Sequence, residues 1–147
     1  VKLMINESDI RNSNNRDFIR YFVPSKEATE YLKTDNECRK YYKQLNRETV
    51  GEVLVDPETD DQIGHAFVYH SGENKGFIFN VQVQPEYRGM GFGKILLDDC
   101  VRKFGGRDLT VDVDNTRAVN MYKNYGFEVY ETGDFYGDGK QQYWMKY

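Results

Sequence analysis

Cysteine, an excess of positive charge and long apolar runs are what this chain has least of, and each shortage removes a class of protein. Only two of its 147 residues are cysteines, Cys38 and Cys100. They stand far apart without metal-ligand spacing, so buried free thiols are expected rather than a disulfide or a zinc site, and no metal is called for. With 20 Lys and Arg against 24 Asp and Glu, the formal net charge is -4. Phosphate backbones are bound through basic faces, so this balance argues against nucleic acid as the principal partner. No apolar run approaches the length of a membrane span, and Val1-Lys2-Leu3-Met4-Ile5 is too short for a signal-peptide core. The expectation is a soluble, cytoplasmic protein with no membrane partner, in one domain over 1–147. Oligomeric state is not written in the composition.

What the chain does have is glycine concentrated at one junction, Arg88-Gly89-Met90-Gly91-Phe92-Gly93-Lys94. The alternating run Phe77-Ile78-Phe79-Asn80-Val81-Gln82-Val83 before it predicts a strand, closed by Pro85, which has no ladder donor. After it, Leu97, Cys100, Val101 and Phe104 recur at i, i+3, i+4, i+7, predicting a helix that starts near Phe92. A strand, a glycine loop and a helix N-terminus together offer unpaired N–H groups, the positive end of a helix dipole and close access to the main chain. The guest this suits is a phosphate or pyrophosphate. In an arbitrary chain, Arg88 and Lys94 would be solvated charges beside a turn; next to three glycines at a helix start they are candidate phosphate contacts.

Spacing separates the phosphate-loop families. A Walker loop read back from Gly93-Lys94 would put Arg88 at its first glycine and Ile95 at its hydroxyl residue, and fails at both. A dinucleotide fingerprint begun at Gly89 needs glycine at Lys94, and one begun at Gly91 needs it at Leu96. What fits is Arg-x-x-Gly-x-Gly, preceded by Val-x-Val-x-Pro-Glu-Tyr. This resembles the acyl-coenzyme A pyrophosphate loop of the GNAT superfamily of N-acetyltransferases. A second stretch, Asn115 to Phe127, follows that family's Asn-x-x-Ala-x-x-x-Tyr-x-x-x-Gly-Phe in order and spacing. Together the two motifs cover roughly a third of the chain.

The remaining pattern is read for elements. A short strand is expected over 1–5 and a polar loop or irregular helix start at Asn12-Ser13-Asn14-Asn15. Helices are expected over 25–33 and 35–46, the second opened by the capping box Thr34-Asp35-Asn36-Glu37. Strands over 52–55 and 62–70 flank the acidic turn 56–61, and Ser71-Gly72-Glu73-Asn74 is the next turn. Leu109, Val111 and Val113 mark a further strand, followed by the second motif as a helix stopped by Gly126. Strands over 127–132 and 141–147 close the chain. The fold class is α/β, a GNAT-like mixed central sheet with helices on both faces. The family order that the resemblance implies is β-α-α-β-β-β-α-β-α-β-β.

The resemblance implies acetyl-coenzyme A as cosubstrate, bound by the loop Arg88, Gly89, Met90, Gly91, Phe92, Gly93 and Lys94, by the main chain of Val81, Gln82 and Val83, and by Asn115. It makes Tyr122 the general acid. Periodicity alone makes Tyr122 a core aromatic beside Ala118, Met121 and Tyr125, and makes Asn115 or Asp114 a helix cap. The chemistry suits the first role: a tyrosine is a weaker acid than a thiol by about 1.5 pKa units, so a modest environmental change balances proton transfer to a departing thiolate. The acceptor implied is a small-molecule or peptide primary amine attacking directly, since neither cysteine lies in an activating motif. The family often places a carboxylate base on the central strands, yet Asn80, Gln82 and Thr110 stand there. Asp112, Glu52, a relay through His65 or His70, or a water chain are the remaining candidates. Acidic residues over 56–61, Asp134 and Asp138 would suit a cationic amine, or are ordinary solvated loops. The rival reading is a non-catalytic acyl-coenzyme A binding or sensing module.

Overall fold

A computed structural model describes residues 9–13, 16–23, 49–71 and 74–147, and its contacts divide into two compact units, Val1–Gly106 and Arg107–Tyr147. The strand expected over 1–5, the helices expected over 25–33 and 35–46, and Cys38 lie outside the described residues.

In the first unit β1 (Asp9–Ser13), β2 (Arg16–Val23), β3 (Thr49–Val55), β4 (Gln62–Ser71) and β5 (Asn74–Val83) lie side by side in chain order, each antiparallel to the next. Among the described residues β1 and β2 thus occupy 9–13 and 16–23, where no strand was expected. Asn12 and Ser13, read as loop, instead pair with Asp17 and Arg16. Ladder bonds come from the main chain, and a strand at the end of a sheet needs no apolar alternation to earn them. Val53, Leu54, Ile63, Ala66, Phe67 and Val68 are all buried, so β3 and β4 are covered on both faces rather than on one.

Helix α1 (Phe92–Arg102) buries Phe92, Leu96, Leu97, Cys100 and Val101. Phe92 meets the ring of Phe18 on β2 edge-on at 5.5 Å, and Asp99 reaches Arg20 of the same strand. The helix stops at Arg102, two residues short of the apolar stripe's last member, because Lys103 and Phe104 both return their N–H groups to Asp99 O and Gly106 returns its own to Cys100 O. Cys100 is fully buried and free, and burial raises its thiol well above the ordinary range.

In the second unit β6 (Asp108–Asp112), α2 (Thr116–Tyr125), β7 (Glu128–Gly133) and β8 (Gln142–Lys146) follow one another. β8 lies between the other two strands and is antiparallel to both. Leu109 and Val111 are buried as expected, but Val113 lies beyond the strand in the turn toward α2, its N–H donated to Gln141 O. Gly126 and Phe127 both donate to Tyr122 O, closing α2 where Gly126 was expected to stop it. No helix among the described residues is long and apolar enough to cross a membrane.

Candidate functional site

The glycine loop of the first unit is held at both ends. On its near side Gln84 donates its N–H to Ile63 O, and Pro85–Tyr87 forms a 3-10 turn with Tyr87 buried. On its far side stands Phe92, 1% exposed, so its side chain belongs to the core and anchors that end of the loop. Between them Gly89 and Gly91 take φ of 80° and 88°, the left-handed region where other residues are strained. Gly91 is the N-cap of α1, and no side chain caps the helix. The first intrahelical bond is Ile95 N–H to Gly91 O, so the N–H groups of Phe92, Gly93 and Lys94 precede the ladder. The first turn of α1 contains no acidic residue, while Arg88 and Lys94 are exposed, so nothing local competes with an anion for the dipole. Arg88 donates Nε to Val83 O at 3.0 Å, which anchors its stem and leaves the two terminal nitrogens of the guanidinium for phosphate. These residues fit a pyrophosphate.

The alternation predicted through 77–83 does not hold. His65 of β4 pairs with Gln82 and Phe67 with Phe79, so Asn80 and Val81 together oppose the single residue Ala66. This is a β-bulge, and Asn80 adopts φ 56° within it. Asparagine tolerates that conformation better than most residues, and its amide meets His65 Nε2 at 2.7 Å. The extra residue changes the parity of the strand. Gln82, not Val81, shares a face with Phe79, while Val83 shares the other with Ile78.

The base candidates separate by burial. Glu52 is fully buried beneath α1, with Oε2 3.0 Å from Arg20 Nε; Arg20 also reaches Asp99 at 2.8 Å, and Lys103 lies 3.8 Å from that carboxyl. Two ionised carboxylates cannot hydrogen-bond each other, and burial followed by the Glu52–Asp99 contact raises Glu52 to about 9. One proton shared by the pair leaves it a single negative charge, facing Arg20 and Lys103. Glu52 is therefore a core group with no route to an acceptor. His65 is 1% exposed and has a carboxamide at each ring nitrogen, Asn80 at 2.7 Å and Gln62 at 3.2 Å, and amides do not pass protons onward. His70 Nε2 is 2.8 Å from Phe104 O. Asp112, half-buried on β6, accepts from Gln142 Nε2 at 2.8 Å through one oxygen. Of the loop acids, Asp56 is buried and Asp134 receives the N–H groups of Asp138 and Gly139, so neither is a merely solvated charge.

In the second unit Asn115 caps α2, accepting the Ala118 N–H at 3.3 Å; the cap occupies its oxygen and leaves its NH2 as a donor. Tyr122 is 8% exposed and packs edge-on against Phe127 at 6.1 Å. That packing fixes the ring direction and is the position expected of a core aromatic as well as of an oriented acid.

Residues 9–127 match the acetyltransferase (GNAT) family. The chain belongs to this family. The match runs through both units and includes both motifs. This GNAT chain is 28% identical over 138 residues to mycothiol acetyltransferase of Streptomyces scabiei, covering 80% of this chain and 45% of that protein. It thus spans less than half the length of that relative. It is also 28% identical over 131 residues to the peptidyl-lysine N-acetyltransferase YjaB of Salmonella typhimurium, covering 86% of each. Among solved structures, NAA60 of Arabidopsis thaliana in complex with acetyl-CoA superposes with a TM-score of 0.65 at 18% identity, covering 88% of this chain and 97% of that one. That likeness shows the fold, the α/β class expected from the sequence.

Proposed function

We propose that this GNAT chain transfers an acetyl group from acetyl-coenzyme A to a primary amine of a small molecule or peptide, by direct attack. The observation that carries the reading is the uncapped start of α1, where Gly89 and Gly91 hold left-handed turns and three N–H groups precede the helical ladder. The pyrophosphate is assigned to those donors, with Arg88 and Lys94 supplying charge. The main chain of Val81, Gln82 and Val83 is assigned to the pantetheine arm and the Asn115 NH2 to the coenzyme.

In the reaction a neutral amine nitrogen forms its bond to the thioester carbonyl carbon, the C–S bond breaks, and the leaving thiolate takes a proton from the Tyr122 hydroxyl. The nitrogen loses its extra proton to water or to Asp112, since Glu52 and His65 are committed elsewhere. Burial of Cys100 in a protonated state accords with direct attack rather than an acyl-cysteine on that residue. The test is thiol release from acetyl-coenzyme A across a panel of amines and peptides, beside thermal shifts with acetyl-coenzyme A, ATP and NAD. A ligand at about a hundred times its Kd stabilises by roughly 2.7 kcal/mol. Equal shifts with ATP or NAD, or no turnover with any amine, would count against the proposal.

A further inference from the structure

Asp56 ends the third strand, and an Asx turn there needs only one carboxylate oxygen. Oδ1 serves it, accepting the Glu58 N–H at 3.0 Å, while main-chain bonds Asp56 N–H to Asp61 O and Asp60 N–H to Asp56 O close the hairpin. Yet the carboxylate is 1% exposed, and burying a charge is costly unless each oxygen is satisfied. The second oxygen, Oδ2, accepts the hydroxyl of Tyr87 at 2.9 Å, from 31 residues downstream. Tyr87 is the residue immediately before Arg88, and its ring meets Phe92 edge-on at 6.3 Å. Residues 88–91 are therefore strung between two buried aromatics in mutual contact, one tied to β3 by a charge-assisted hydrogen bond and the other packed on Phe18 of β2.

We infer that Asp56 and Tyr87 are positioning residues for coenzyme binding: their bond fixes the start of the glycine loop, so that its N–H groups are aimed before the pyrophosphate arrives. The inference rests on the coenzyme reading above. Donors held in place by a rigid second layer bind without an ordering cost, whereas donors on a loosened loop must be ordered by the ligand. Neither side chain is asked to touch the coenzyme. The effect belongs to binding and not to chemistry, because the pyrophosphate lies away from the thioester.

The experiment measures coenzyme A affinity by calorimetry for the wild-type chain, Tyr87→Phe, Asp56→Asn and the double variant, with circular dichroism confirming the fold and saturated turnover recorded on the best amine. Tyr87→Phe keeps the ring against Phe92 and removes only the hydroxyl; Asp56→Asn keeps an acceptor for the Glu58 N–H and carries the same test if Tyr87→Phe loses its fold. A loss of at least fivefold in affinity is expected for each single variant. The double variant should be no weaker than the weaker single one, and kcat should stay within about twofold at saturating coenzyme. Unchanged affinity in a folded variant, or two losses that simply multiply, overturns the inference even if the melting temperature falls. A wild-type chain that does not bind coenzyme A overturns the coenzyme reading itself, and this inference with it.

Discussion

The Glu52–Asp99–Arg20 cluster makes a prediction with a definite sign. In the folded chain the Glu52 carboxyl stays protonated up to about 9, whereas the unfolded chain releases that proton near its ordinary value of 4.5. A raised acid stabilises the fold fully below the unfolded pKa, and that contribution drains away as pH climbs toward the folded one. The slope is about 1.4 kcal/mol per pH unit for one proton, so from about pH 6 to about pH 8 the wild-type chain should lose on the order of 3 kcal/mol through this group. Glu52→Gln supplies a permanent stand-in for the neutral acid, with an NH2 to donate to Asp99 and a carbonyl to face Arg20, and it has nothing to titrate. Urea unfolding at several pH values is the assay, read as the difference between the two chains so that other titrating groups cancel. The variant should gain on wild type as pH rises, by about that same unfolding free energy over the interval. Parallel curves would refute the shared proton. A wild-type chain that loses ground to the variant toward acid pH would mean an ionised Glu52 paired with Arg20, the opposite assignment. Turnover of Glu52→Gln should match wild type, because the carboxyl is sealed under α1.

Tyr122→Phe should lower kcat at least tenfold while leaving coenzyme A affinity within about twofold, since the ring packing on Phe127 survives; unchanged turnover with chemistry rate-limiting makes Tyr122 a core residue only. Gly91→Val places a branched side chain at φ 88° and should abolish coenzyme A binding by calorimetry in a chain that circular dichroism shows folded; retained micromolar affinity reduces the loop to a turn. Asp112→Asn should leave the rising limb of the kcat/KM profile against pH in place if water carries the amine proton. Loss of that limb with most of the activity makes Asp112 a dedicated base.

The parts legible in the sequence are those whose cause is local. Glycine at 89 and 91, the start of α1 and the order Asn115 to Phe127 are short-range signals and land where they were expected, while Phe104, last of the apolar stripe, falls beyond the helix. The bulge was hidden because Phe77, Phe79, Val81 and Val83 keep an apolar period of two as text; only pairing with β4 shows that Asn80 and Val81 share one partner. The partners of Asp56 and Glu52 were hidden for a related reason. A carboxylate in an acidic turn reads as a solvated charge and a lone Glu in a strand as a candidate base, until partners 31 and 47 positions away close on them. The polar strand β1 was missed because main-chain pairing leaves no trace in side-chain period. Tyr122 and Asn115 were ambiguous in the sequence, and their packing and capping are compatible with both of the roles first weighed.

Burial of Cys100 gives the chain a built-in reporter. A fully buried thiol held in its protonated form is inert to alkylation while α1 lies on the sheet, so modification at that residue, read by peptide mass, counts the openings, local or global, that lift α1 away. The rate of labelling divided by that of an exposed thiol converts to an opening equilibrium, and the same measurement with coenzyme present reports whether a ligand at one end of α1 holds the whole helix down.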